Sequence, residues 1–151
     1  MSAIDILAPL AGTLAAMEDV PDPVFAQGLV GPGVAIVPAE EGDVDVLAPL
    51  AGKIAKIHPH AFVIMAGSVN VLVHLGLDTV KLEGEGFTVH AATGDRVEAG
   101  QRLITWNPGE IRSRGLDPIC PVVFMETTAT IDYAKQPGEA THASDVIAHA
   151  S

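Results

Sequence analysis

Asp5-Ile6-Leu7-Ala8-Pro9-Leu10-Ala11-Gly12 returns forty residues later as Asp45-Val46-Leu47-Ala48-Pro49-Leu50-Ala51-Gly52, with seven of the eight positions identical. Each copy reads as a short apolar strand, a bend marked by proline, and a glycine before a second strand, Thr13–Met17 in one copy and Lys53–Ile57 in the other. A repeat of this kind predicts a duplicated β-motif whose halves pack on one another.

The rest of the chain keeps the same grammar. Short apolar or alternating runs occur at Val34–Val37, Phe62–Met65, Val69–Val73, Val97, Leu103–Thr105 and Val122–Met125. Gly and Pro separate them at the spacing of an all-β sandwich or barrel. Gly94–Gly100 reads as a turn, a short strand and a turn. Helical signals are sparse: Asn107–Ser113 predicts one or two turns, with Pro108 at the start. Ala140–Ser151, rich in Ala, His and Ser, reads as a frayed tail. No linker divides the chain, so residues 1–151 are expected to form a single domain, with the assignment weak beyond about residue 135.

Composition bounds what such a domain does. Hydrophobic residues make up 48% of the 151 and aromatic ones only 4%, so the core is built from small and β-branched side chains. A chain of this length buries roughly 68–70% of its unfolded surface and needs neither disulfide nor metal to fold. A formal net charge of -11 disfavours nucleic acid and suits a partner with a basic docking face. Taken alone, the acidity reads first as a solubility device. Cys120 is the single cysteine, which rules out an intrachain disulfide and agrees with a reducing compartment. No basic stretch leads into an apolar one at the N-terminus, and no apolar run approaches the roughly 18 residues of a membrane span. A soluble, cytoplasmic protein without membrane insertion is the expectation.

Of the six histidines, His60 and His74 flank a segment with readable geometry. With Ala66-Gly67-Ser68 as the hairpin turn, His60 and His74 lie opposite each other, with Cβ atoms about 4.5–5.5 Å apart. Phe62 and Leu72 would then be the next pair on that face, beside the imidazoles, with Val63, Met65, Val71 and Val73 on the core face. Two adjacent imidazoles suit a nucleophile and a group that steadies what it receives, or half of a metal site, or are two unrelated surface histidines near a strand end. Gly76 lets the backbone pass close to the His74 ring, so that a carbonyl accepts the Nδ1 proton and leaves Nε2 free. Asp78 either orients an imidazole, meets a partner's cation, or caps the strand end.

At these residues the sequence resembles the enzyme IIA component, glucose/sucrose type, of the bacterial phosphoenolpyruvate-dependent sugar phosphotransferase system. Val73-His74-Leu75-Gly76-Leu77-Asp78-Thr79-Val80 followed by Glu83-Gly84-Glu85-Gly86-Phe87 carries the likeness, and His60-Ala61-Phe62 supplies the second histidine. Ala8–Gly12, Glu18–Ala26, Gly31–Ile36 and Gly94–Leu103 extend it, in order, from about Asp5 to Val123. The resemblance implies an antiparallel β-sandwich of the duplicated hybrid-motif type. It implies a phosphocarrier in which His74 accepts a phosphoryl group through Nε2 from the carrier HPr and passes it to a cysteine of a sugar-specific enzyme IIB. His60 would hold the phosphoryl oxygens, Asp22 and Asp78 would meet an arginine of HPr, and Phe25 would be an apolar docking residue. Cofactors and metals are not implied, since the donor is itself a protein.

The likeness has departures. Only His58 and Pro59 separate Ile57 from His60, the family's threonine beside the second histidine is missing, and the region after Thr127 matches weakly. His58 either takes over from that threonine or is a solvated loop histidine, the second being the preferred reading.

Other residues read blandly. His90 is an exposed turn residue, His142 and His149 belong to the tail, Cys120 and Trp106 are packing residues, and nothing requires Glu126 at the site. Two rival readings remain. A zinc-dependent hydrolase would use His58, His60 and His74, but no His-x-x-x-Asp lies upstream to complete its site. A biotinyl- or lipoyl-type swinging arm would need a lysine at a hairpin tip, which the repeat turns lack.

Overall fold

The computed structural model describes residues 3–39 and 42–151. The strands are β1 (Ile4–Leu7), β2 (Gly12–Ala16), β3 (Gly33–Pro38), β4 (Val44–Leu47), β5 (Gly52–His58), β6 (Ala61–Ala66) and β7 (Val69–His74). They continue as β8 (Thr88–Val89), β9 (Arg96–Val97), β10 (Arg102–Trp106), β11 (Cys120–Phe124), β12 (Ile131–Tyr133), β13 (Ala140–Thr141) and β14 (Val146–Ala150). One sheet has eight strands in the order β13-β2-β3-β11-β7-β6-β5-β9, and two smaller sheets run β1-β14-β12 and β4-β10-β8. The strand pairs are antiparallel, and the result is the expected all-β sandwich.

The duplication governs this order. The eight-stranded sheet reads alike from both ends once β2 is matched to β5, β3 to β6, β11 to β7 and β13 to β9. The small sheets match in the same way. One copy of the motif is therefore β4–β10, and the other is β1–β3 together with β11–β14, wrapped around it. The proline bends seal the two copies reciprocally: Leu7 N donates to Pro49 O and Leu47 N to Pro9 O, both at 2.8 Å. Gly12 and Gly52 are required by close approach, since a Cβ on either would collide with the backbone of the neighbouring strand, at Val37 O and Met65 O respectively.

The repeat also reaches the C-terminus, which corrects the reading of Ala140–Ser151 as a frayed tail. Gly94 N donates to Ile54 O and Gly138 N to Leu14 O; Gly100 N and Ser144 N reach Ala48 O and Ala8 O. The segment from Gly138 onward is thus the second copy of the turn–strand–turn at Gly94–Gly100. Its following strand, β14, buries Ile147, Ala148 and Ala150 in the core. The sequence hides this because Thr141 and Ser144 stand where the first copy has Val97 and Gly100.

The main core fills the space between the sheets with Ile, Val, Leu and Ala, together with Phe62, Phe124 and Trp106. Each fully buried Leu or Ile contributes roughly 1.5–3 kcal/mol. Trp106 stacks on Phe87 and is packing, as read from the sequence. Cys120 is also fully buried, and burial pushes its thiol up to about 12, so it stays protonated.

A smaller cluster forms on the other face of the large sheet, where the copies differ. The connection from Ala16 to Val34 in the first copy takes 17 residues, against four between Ile57 and Phe62 in the second. The longer one folds over the sheet and packs Met17, Val20 and Phe25 against Ala35, Leu77, Ile119 and Val123. It contains helix α1 (Pro23–Ala26), whose N-cap Asp22 accepts from Val24 N at 2.9 Å. Sequence reading missed α1, although Asp22-Pro23 is a capping residue before a proline at N1. Helix α2 (Pro108–Ser113) lies where predicted, with Asn107 Oδ1 accepting from Glu110 N. Among the described residues no helix is long and apolar enough to cross a membrane.

Candidate functional site

The hairpin β6–β7 brings the two histidines together in a register one residue away from the expected one. Ala61, not His60, is the partner of His74, and Ala66 pairs with Val69 around a two-residue loop, Gly67-Ser68. The one-residue shift exchanges the faces of β6 and leaves those of β7 as expected, so Val63 and Met65, expected on the core face, turn outward. Phe62, Ile64, Val71 and Val73 point into the main core. Leu72 and the half-buried Val63 share the outer face with His74. Phe62, expected beside the imidazoles, is therefore a core residue, whereas Leu72 keeps the place predicted for it. The extra core register follows from Ile64 and Val71, which pack as a buried pair only in this pairing.

His60 occupies the tight Pro59-His60 turn between His58 and Ala61. Its carbonyl accepts Leu75 N at 2.7 Å, which clips the turn to the end of β7. The rings consequently meet without being strand partners: His60 and His74 have centroids 5.3 Å apart in an edge-to-face arrangement. His58 stacks on the far side of His60 at 5.7 Å, with planes 18° apart. It is thus an exposed histidine with a definite ring partner, more than the solvated residue preferred from sequence. Phe25 presents its ring to His74 from the other side at 5.4 Å. The four rings form a row, His58–His60–His74–Phe25, built from three separate segments. Beside it lies a hollow of about 200 Å³ lined by Lys56, Ala61, Val63 and Leu72.

The tautomer of His74 follows from the loop after β7. His74 Nδ1 lies 2.6 Å from Gly76 O, so the ring donates there and presents Nε2 as a lone pair. The carbonyl is that of Gly76 itself. Gly76 has φ +78°, and a Cβ there would lie 2.7 Å from Thr79 Cγ2 and 3.0 Å from Asp117 O. Leu77 N, in the same peptide as the Gly76 carbonyl, donates to Asp117 O at 2.8 Å and holds that peptide in place.

Burial disfavours the charged form of both imidazoles. Burial pushes His74 below its ordinary value, and the Gly76 carbonyl with the carboxylates of Asp22 and Asp78 pulls it only part of the way back. Burial also lowers His60, helped by the neighbouring rings of His74 and His58. Asp78 sits in the left-handed region at φ 59° and makes no capping hydrogen bond, so its carboxylate is exposed and unspent. Asp22 is partly engaged in capping α1. Phe25 is 7% exposed, so it chiefly walls the His74 ring, while its neighbour Val24 is 48% exposed.

The other singled-out residues lie elsewhere. His90 is exposed and bonds to Thr105 at 2.7 Å, His149 pairs with Asp5 in the β1–β14 sheet, and Glu126 lies beside Asn70. The zinc-hydrolase alternative finds no support: among the described residues no group of three His, Cys, Asp or Glu side chains is arranged to hold a metal.

Comparison with known proteins agrees with this geometry. Residues 4–130 match the family described as phosphoenolpyruvate-dependent sugar phosphotransferase system, EIIA 1. The glucose-specific EIIA component of Oceanobacillus iheyensis is 39% identical over 125 residues, covering 82% of this chain and 75% of that protein. The mannose-specific EIIBCA component of Corynebacterium glutamicum is 39% identical over 144 residues, covering 95% of this chain but only 21% of that much longer protein. Among solved structures, glucose permease IIA from Mycoplasma capricolum superposes with a TM-score of 0.89 at 32% identity, covering 99% of this chain and 96% of that one. A row of three imidazoles on a duplicated β-sandwich, matched over most of its length in sequence and in fold, makes this chain a member of the EIIA family, a phosphocarrier of the sugar phosphotransferase system.

Proposed function

We propose that residues 1–151 act as one carrier domain in which His74 accepts a phosphoryl group from phospho-HPr and delivers it to an enzyme IIB in the cytoplasm. The observation that carries the reading is the 2.6 Å contact from His74 Nδ1 to Gly76 O, which leaves Nε2 as the free nucleophile. In the first step the Nε2 lone pair forms a bond to phosphorus while the donor's P–N bond breaks and its electron pair returns to the donor imidazole. In the second, the acceptor's thiolate forms the new P–S bond and the His74 P–N bond breaks.

Such transfers rest on positioning and charge more than on covalent help. The gain of a phosphoryl group adds negative charge to a half-buried ring, which favours protonation of a neighbouring imidazole. His60, 5.3 Å away, is then the group that neutralises the phosphoryl oxygens. Asp22, Phe25 and Asp78 make up the partner-binding rim, with the two carboxylates as counter-charges for a basic donor face. The compound name EIIBCA of the Corynebacterium glutamicum relative supports an EIIB-type acceptor.

The test is phosphoryl transfer from phosphoenolpyruvate through purified enzyme I and HPr. Wild type should gain one acid-labile phosphoryl group, His74→Gln none, and His60→Gln should be labelled yet fail to pass the group on. Normal labelling of His74→Gln would overturn the assignment.

A further inference from the structure

Thr79 is 1% exposed, one of two buried polar residues among those described. It lies in the 3-10 turn Thr79–Leu82 that follows the His74 loop. Its Oγ1 donates to Leu75 O at 2.7 Å. Its methyl group stands where a side chain on Gly76 would project, 2.7 Å from that Cβ position. The Leu75 amide at the other end of the same residue is held by His60 O at 2.7 Å. Leu75 is therefore fixed at both ends, by the backbone of one histidine and by the Thr79 hydroxyl, and the next carbonyl along the chain is the Gly76 oxygen that receives His74 Nδ1.

We infer that Thr79 is a positioning residue for phosphoryl transfer: by pinning Leu75 O and packing against Gly76, it sets the His74 tautomer and the spacing between His74 and His60. The physical reason is that the Gly76–Leu77 peptide is held on its amide side, by Leu77 N donating to Asp117 O at 2.8 Å, while Thr79 supplies the side-chain restraint on the preceding Leu75–Gly76 peptide, so the two together set the direction of the Gly76 carbonyl. The glycine conformation between them is intrinsically permissive, and His74 Nδ1 is a weak restraint on the backbone that restrains it in turn. A hydroxyl in a water-excluded site must find a partner, and here that partner is the carbonyl whose direction decides where the Leu75–Gly76 peptide faces. The hydroxyl touches no reacting atom, so its effect is transmitted entirely through Leu75 and Gly76.

The inference rests on His74 being the phosphoacceptor, and the experiment separates the two. Imidazole 15N–1H correlation spectra of the unphosphorylated protein report the His74 tautomer whether or not the ring is ever phosphorylated. Wild type should show Nδ1–H only. Thr79→Val, which keeps the shape and loses the donor, should give a mixture of tautomers and slow phosphorylation by phospho-HPr roughly tenfold, the low end for removing an outer partner of a working histidine. Thr79→Ser should restore both. Thr79→Cys, a weaker donor of similar volume, should be intermediate and serves if Thr79→Val does not fold. A folded Thr79→Val, or failing that Thr79→Cys, with a single Nδ1–H tautomer and the wild-type rate would overturn the inference. A shifted tautomer in a protein whose His74→Gln variant still labels would leave Thr79 in place and overturn the acceptor instead.

Discussion

The backbone carbonyl of His60 accepts the amide of Leu75 at 2.7 Å, and this one bond ties the turn carrying one histidine to the residue that follows the other. Because His60 lies beyond the last strand pair, Ala61–His74, its position relative to His74 depends on that clip and on ring packing.

Ring packing predicts the consequence of removing His58. His58→Ala takes away a stacked ring, an interaction of about 0.5–1.5 kcal/mol, together with part of the cover and of the like charge beside His60. Both losses raise the His60 value toward the ordinary one. An NMR pH titration should find His60 titrating higher in His58→Ala, with His58→Phe keeping the ring orientation. An unmoved His60 would make His58 a bystander.

The two lowered imidazoles set a pH dependence. His74 and His60 are both lowered from 6.5 in the folded protein, so below that value the unfolded chain binds protons before the folded one does. Stability from these groups is complete above about 6.5 and lost as pH falls from there toward the folded values. Chemical denaturation between pH 5 and 7.5 should show this slope, and His74→Gln should flatten it. A slope of opposite sign would mean that the folded state holds a charged imidazole.

Asp22 and Asp78 both pull the His74 value upward. Asp22→Asn, which still caps α1, and Asp78→Asn should each lower it further. Each should also weaken association with a basic donor, raising the KM for phospho-HPr while leaving the maximal rate within about threefold, with an effect that fades at high salt as screening removes it. Steady-state labelling at two ionic strengths measures this, and a salt-independent effect would place the carboxylates outside the docking rim.

Gly76 carries two constraints, a left-handed backbone and no room for a side chain. Gly76→Ala should cost about 1–3 kcal/mol in strain and displace the carbonyl that orients His74. Urea denaturation gives the first, and the imidazole spectra give the second. A variant as stable as wild type would show that the loop relaxes without penalty.

Ile147 tests the corrected C-terminus. Buried in β14, it should cost about 2–5 kcal/mol when replaced by Ala. A frayed tail would give a change near zero in the same denaturation experiment.

The all-β class, the duplication, the nearness of His60 to His74 and the backbone freedom at Gly76 were legible because each leaves a local mark. Seven identical residues in eight, alternation of period two, and a glycine two residues after a histidine are all written in contiguous sequence. The register of β6–β7 was not, because a two- and a three-residue turn fit the same apolar run, and only core packing of Ile64 against Val71 chooses between them. The second copy of the C-terminal turn was obscured because its hydrogen bonds run through backbone atoms, which tolerate Thr141 and Ser144 in place of Val97 and Gly100. The sequence by itself determined the candidate residues for the proposed chemistry, since imidazoles, carboxylates and a permissive glycine are properties of residue type. Tertiary structure alone decided their assembly, because the turn with His58 and His60, the end of β7 with His74, and the loop with Phe25 are three segments whose meeting depends on long-range packing and on a 17-residue connection that only one copy of the motif possesses.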